Sequence, residues 1–154
     1  MSIWWGDVFV QGGQRRAESI RGLGILGVGG DRQHYLGLSD AGLSLHMPAF
    51  VASLRAVANH IQPRAIVTFD ATGFDGHTDH QVAHSAGLVV AECLGAELFT
   101  RVAEPIDGDV AVCADPGLKR LAIDEHFSQY GGTIDRLAGY CDPQEPEYYR
   151  IARD

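Results

Sequence analysis

Hydrophobic and polar positions along this chain follow two periods, one helical and one of short extended runs. Phe50, Val51, Leu54, Val57, Ala58 and Ile61 recur at helical spacing, with Pro48 suited to the first turn and Pro63 a stop, so a helix is predicted over 48–61. A second stripe, Val82, Ala86, Val89, Val90 and Cys93, predicts a helix over 79–94. Ahead of it, Ala65-Ile66-Val67-Thr68-Phe69 is a short apolar, β-rich run that reads as a central strand and ends where Asp70 begins a polar turn. Between strand and helix sit Gly73, Gly76, His77, Thr78, Asp79 and His80. A glycine- and histidine-rich loop between strand and helix places its polar side chains at the carboxyl end of a sheet, where open α/β sheets bind ligands.

The same patterning covers the remaining chain. Val8-Phe9-Val10 reads as a buried strand, and Ala17, Ile20 and Leu23 predict a helix over 14–23 that Gly24 ends. His34 to Leu38 reads as an extended segment closed by Ser39-Asp40-Ala41-Gly42. Leu98 to Val102 and Val110 to Cys113 read as strands, split by a turn from Pro105 to Asp109. Asp115 caps a predicted helix over 116–127 with Pro116 in its first position, and Ile134 to Leu137 continues as helix. The tail from Pro143 to Asp154, with Tyr148, Tyr149 and Ile151, is expected to lie as a final edge. No repeat, low-complexity tract or linker interrupts the alternation of strand and helix. The expectation is one α/β domain over 1–154, three-layer, with a mainly parallel sheet and helices on both faces.

Composition narrows the partners. The chain has 154 residues, 45% apolar and 21% charged, enough for one domain with its own core. A net charge of −8 and the lack of a Lys/Arg stripe argue against nucleic acid or an anionic membrane. Cys93, Cys113 and Cys141 are odd in number and lack CxxC spacing, so they read as reduced, mostly buried thiols. No basic-then-apolar leader opens the sequence and no apolar run reaches membrane-spanning length, so a cytoplasmic protein without membrane insertion is expected.

The candidate chemistry lies in one cluster. His77, Asp79, His80 and His84 fall within eight positions, and His80 and His84, four apart, share a helix face. Imidazoles beside a carboxylate are what zinc or a similar divalent ion requires. The competing reading makes His77 or Asp79 a helix cap and His84 a plain helix-face histidine. Three histidines and two glycines at a strand end favour a site, while His84 by itself keeps the plainer reading.

Thr68-Phe69-Asp70-Ala71-Thr72-Gly73-Phe74-Asp75-Gly76-His77-Thr78-Asp79-His80 resembles the GHPDH signature of the PIG-L/LmbE-like zinc N-deacetylases, with Thr78 in place of the usual proline. Three further segments are similar in order: Arg15-Arg16-Ala17-Glu18 to an R-x-x-E helix, His34 to Asp40 to an L-G-x-x-D segment, and Lys119 to Gln129 to a K-x-x-A-x-x-x-H-x-S-Q helix. The resemblance implies a Rossmann-like α/β fold and metal-dependent hydrolysis of an N-acetyl group from an amino sugar or its conjugate. It implies that His80 is a zinc ligand, that His77 stabilises the oxyanion beside the metal, and that Asp79 orients His77. It further implies that Arg15 and His126 bind substrate, with Ser128 and Gln129 lining or bracing the site.

One part of the family pattern is absent from the sequence. The family's first strand ends in a His-Pro-Asp-Asp-Glu motif, which supplies two protein ligands and the general base, and these 154 residues contain no such motif. The chain starts at the point corresponding to the family's second strand, so it is expected to be truncated at the N-terminus, with open sheet edges. His80 alone underligates zinc, since catalytic zinc ordinarily keeps three protein ligands. Asp70, Asp75 and His84 stand as local substitutes. Zinc, or another divalent metal, is therefore expected to be held weakly and activity to be low. The alternative expectation is a non-catalytic relative that binds a sugar-like ligand or a protein partner, and the open edges leave a homo-oligomer open too.

Overall fold

The computed structural model of the chain describes residues 2–4, 10–130 and 144–152. Along the chain run β1 (Ser2–Trp4), α1 (Val10–Ile25), β2 (Gln33–Tyr35), α2 (Met47–Ile61), β3 (Ala65–Phe69), α3 (Thr78–Leu94), β4 (Glu97–Val102), β5 (Val110–Val112), α4 (Pro116–Asp124), α5 (Phe127–Tyr130) and β6 (Glu147–Ile151). These gather into two compact units, Met1–Asp40 with Cys113–Pro146 and Ala41–Val112 with Glu147–Asp154.

In the first unit β1 and β2 pair in parallel, from Ser2 opposite Gln33 to Trp4 opposite Tyr35. Val10 opens α1 instead of closing a strand, and Val8 and Phe9 lie outside the described residues. Gly24 lies inside that helix. The stop is Gly27, whose φ of 81° lets Val28 N–H return to Leu23 O at 2.8 Å. The buried face of α1 also differs from the predicted stripe: Glu18 and Ser19 are buried, whereas Ile20 is 38% exposed. Close approach of α4 explains this. A Cβ at Gly22 would stand 2.9 Å from Ala122 O and 3.1 Å from His126 Nε2, so the contact face must be small. On the other flank, the Tyr35 hydroxyl donates to Gln33 Oε1 at 2.6 Å and lies 3.2 Å from Ser19 Oγ.

Asp115 caps α4 as predicted, accepting from Leu118 N–H at 2.9 Å. The single helix expected over 116–127 is broken after Asp124, and a separate short α5 carries Ser128. In an unbroken helix Ser128 N–H would return to Asp124 O. Here it donates to Glu18 Oε1 at 3.0 Å, so a long-range acceptor replaces the local one. Ile134 to Leu137 and Cys141 lie outside the described residues.

The second unit holds a four-stranded sheet of order β3-β4-β6-β5. The sheet is mixed. β3 and β4 pair in parallel, and β6 runs antiparallel to both β4 and β5. The tail expected as a final edge is thus an inner strand, because β6 satisfies hydrogen-bonding groups of two neighbours at once. Strand β3, expected to be central, ends the order among the described residues, and Val67 on it is 62% exposed.

Helix α3 lies against β3 and β4, with α2 beside it. Its buried face is Asp79, Ala83, Ala86, Gly87, Val90 and Ala91 rather than the larger stripe read from the sequence. A Cβ at Gly87 would stand 3.1 Å from Thr68 Cγ2, so small residues let the helix sit close to the strand. That rotation leaves Val89 40% exposed and Cys93 exposed. Cys113 is exposed too, so the buried-thiol expectation fails at both described cysteines. Leu43, just before α2, and Phe50, on it, are the bulkiest buried apolar side chains among the described residues, at 0% and 2% exposure. Truncating such a Phe to Ala costs about 3–5 kcal/mol. Among the described residues no helix is long and apolar enough to cross a membrane.

Candidate active site

The loop from Asp70 to His77 is shaped by a carboxylate and a run of left-handed residues. Asp70 Oδ1 accepts from Thr72 N–H at 3.0 Å, Thr72 Oγ1–H at 2.6 Å and Phe74 N–H at 3.0 Å. Burial pushes the Asp70 carboxyl up, but these donors outweigh it and leave the pKa below its ordinary 3.8. Gly73, Phe74 and Gly76 have φ of 79°, 64° and 82°. Glycine is required at 73, where a Cβ would meet His77 O at 2.7 Å. Phe74 holds a conformation costly for an L side chain, and the Arg101 guanidinium, 4.2 Å above its ring centroid, helps to fix it.

His77 caps α3: its Nδ1 accepts from Asp79 N–H at 3.2 Å. A nitrogen that accepts carries no proton, so neutral His77 bears its hydrogen on Nε2. His80 is arranged the other way. Its Nδ1 lies 3.0 Å from Gly73 O, a carbonyl that can only accept, and 2.9 Å from Asp75 Oδ1, which accepts as a carboxylate. The proton therefore sits on Nδ1 and the lone pair on Nε2. The His80 ring stacks on Phe69, centroids 3.8 Å apart, and lies 4.9 Å from the His77 ring centroid. His84, first read as a plain helix-face residue, ties α3 to the end of β3 through Nδ1–H to Phe69 O at 2.9 Å.

Asp79 is 1% exposed. Its Oδ1 accepts from Leu43 N–H at 3.1 Å, and its Oδ2 has no hydrogen-bond partner among the described residues. A buried anionic oxygen left so is costly unless a cation or proton satisfies it. A ring nitrogen of His77 and a carboxylate oxygen of Asp79 lie within 4.8 Å of each other. His77 spends Nδ1 on the Asp79 amide, so the donor left in this pair for zinc or a similar divalent ion is Asp79 Oδ2; His80, expected as the ligand, is not part of it. Asp75, left as a substitute ligand by the sequence, spends Oδ1 on His80 and on His77 N–H at 3.0 Å. Burial raises the Asp75 carboxyl, yet the His77 amide and the His80 imidazole more than offset it, and its pKa lies below 3.8.

Arg15 and His126, read as substrate-binding, belong to the first unit. Arg15 pairs with Asp40 at 3.3 Å. His126 lies between α4 and α5, and burial lowers its pKa below 6.5, against the raising charges of Glu18 and Glu125. Ser128 is held by Glu18 through both its amide and its hydroxyl, at 3.0 and 2.5 Å. The R-x-x-E and H-x-S segments are thus brought together in one unit, Glu18 to Ser128. Sequence reading missed the jobs of Glu18, Asp75 and His84. A carboxylate two before a histidine, Asp75 before His77, was the one local signal available.

Residues 7–91, more than half of the 154, match PIG-L, GlcNAc-PI de-N-acetylase. The chain belongs to the PIG-L family. Among its relatives is 1D-myo-inositol 2-acetamido-2-deoxy-alpha-D-glucopyranoside deacetylase of Mycobacterium sp. (strain KMS), 33% identical over 53% of this chain and 31% of the relative. The same enzyme of strain JLS matches equally. The PIG-L chain thus spans about a third of the curated relatives it matches. Solved structures of similar fold include a deacetylase of teicoplanin biosynthesis, TM-score 0.68 at 16% identity over 92% of this chain and 74% of that one. An antimicrobial pseudoaglycone deacetylase reaches 0.67 at 18% identity, over 93% and 72%. The PIG-L chain has the layered, Rossmann-like α/β fold expected from its sequence.

Proposed function

We propose that this PIG-L chain is a single, cytoplasmic deacetylase domain that removes N-acetyl groups from amino-sugar conjugates with a bound divalent metal. The observation that carries the reading is the opposed proton placement of His77 and His80. With its proton on Nδ1, His80 carries its lone pair on Nε2, the donor a cation needs, while His77 carries its N–H at Nε2, suited to a developing oxyanion. Asp79 orients His77 through its amide and offers Oδ2 to the cation. Bound there, zinc or another divalent ion supplies a Lewis acid and lowers the pKa of water. Arg15 and His126 hold polar groups of the substrate, a role that rests on the resemblance alone. The cytoplasmic setting is supported by the free thiols of Cys93 and Cys113.

The test is release of free amine from the acetamido-glucopyranosyl-inositol that the mycobacterial relatives are named for. Manganese, cobalt and zinc are each added to the metal-stripped chain. A structural neighbour is described in a zinc-inhibited form, so zinc is also titrated to excess. The expected result is slow amine release that needs metal and is lost in His80→Ala, slow because no His-Pro-Asp-Asp-Glu motif is in the sequence. Metal binding without any amine release would move the reading to a sugar-binding module.

A further inference from the structure

Asp75 stands where one carboxylate oxygen serves two histidines. Its Oδ1 accepts from His77 N–H at 3.0 Å and from His80 Nδ1–H at 2.9 Å. The first bond fixes the backbone at the start of α3. The second fixes which nitrogen of His80 carries the proton. Gly73 O also takes that proton, at 3.0 Å, so a tautomer bias would survive without Asp75; what the carbonyl cannot supply is negative charge. A carboxylate behind an imidazole makes the opposite nitrogen a stronger electron-pair donor and holds the ring in one orientation. Gly76 has φ 82° between Asp75 and His77, and at Gly73 any Cβ would stand 2.7 Å from His77 O and 3.0 Å from Gln81 Cγ, too close for a side chain. The Asp75 and His80 side chains are 23% and 22% exposed, although Asp75 as a residue lies at the surface, so solvent screens the pair in part.

We propose that Asp75 is a positioning residue that fixes the His80 tautomer and strengthens His80 Nε2 as a metal donor, an inference that rests on the metal reading above. Its carboxylate touches neither substrate nor metal and acts through the imidazole. This gives the residue a different part from the substitute ligand that its place in the sequence suggested.

The experiment uses the whole chain, stripped of metal, with nitrogen-15 histidine spectra and cobalt(II) titration; circular dichroism checks that each variant folds. Wild type should show His80 protonated on Nδ1 and His77 on Nε2. Asp75→Asn keeps an oxygen acceptor but removes the charge, so the His80 tautomer should persist while cobalt affinity falls about 10-fold. Asp75→Ala leaves Gly73 O alone, so an Nε2-protonated population of His80 should appear and affinity fall roughly 10- to 100-fold. Variants that fold and bind cobalt within about twofold of wild type, or an unchanged His80 spectrum in Asp75→Ala, overturn the proposal. If wild type binds no cobalt, the metal reading fails, and the Asp75→Ala spectrum then decides the role of Asp75 by itself.

Discussion

Glu18 receives two hydrogen bonds from Ser128, amide N–H to Oε1 at 3.0 Å and hydroxyl to Oε2 at 2.5 Å, across 110 positions of sequence. The residue is 2% exposed, and this bidentate grip holds the first turn of α5 against α1. Glu18→Ala would leave the Ser128 donors without their acceptor. A charge-assisted bond contributes about 1.5–3 kcal/mol, so Glu18→Ala is expected to lower Tm by several degrees, roughly 4–8 °C for about 2 kcal/mol at this size. Glu18→Gln keeps one acceptor oxygen for the two Ser128 donors and should lose less. Thermal melts of the two variants check this.

Acid should destabilise the first unit in two stages. His126 has a folded pKa below its ordinary 6.5, set first by burial, so the unfolded chain binds its proton more readily. Its contribution is present above pH 6.5 and is lost as pH falls through the folded value. Glu18 has a folded pKa below 4.5: burial raises it, but the Ser128 and Gln14 bonds outweigh this. Its contribution is present above pH 4.5 and drains at lower pH. Melts from pH 8 to 4 should therefore show Tm declining from about pH 6.5 downward, with a shallower decline in His126→Gln. A His126→Gln profile identical to wild type would remove His126 from the account.

At Gly73 the backbone has φ of 79° and a Cβ would meet His77 O at 2.7 Å. Gly73→Ala is expected to cost about 1–3 kcal/mol in backbone strain and to displace the His77 cap. Metal affinity should fall with stability. The control is Gly76→Ala, also at positive φ but with nothing within 4 Å of its Cβ, which should cost stability and leave affinity less changed.

The two histidines should separate by function. His80→Ala removes a lone-pair donor and is expected to abolish measurable metal binding. His77→Ala removes the helix cap and an N–H donor, so it should lower turnover by roughly 100-fold, as loss of one oxyanion donor does, while metal stays bound. The cap loss adds about 1 kcal/mol of destabilisation. Cobalt titration and amine release on each variant check the split.

Local chemistry fixed much of this molecule before any tertiary contact. The proline-bounded helix α2, the strand β3 and the glycine-ended helix α3 follow from spacing, cap and stop residues, because each depends on neighbours within a few positions. The His77-to-His80 cluster was legible for the same reason: the loop, cap and both histidines lie within one turn of chain. Which face of a helix is buried depends instead on what approaches it. On α1 and α3 the close partners are Ala122 and Thr68, and they select Gly22 and Gly87 over the larger residues that defined the predicted stripes. Long-range acceptors decided the rest. Glu18 takes the Ser128 amide that an unbroken helix would have kept, and β6 enters the sheet between β4 and β5 because two strands far back in the chain offer it unpaired edges. Neither partner lies near enough in sequence to leave a periodic trace. The protonation of His77 and His80 was decided in the same way, by the Asp79 amide, the Gly73 carbonyl and the Asp75 carboxylate converging only once the loop had folded.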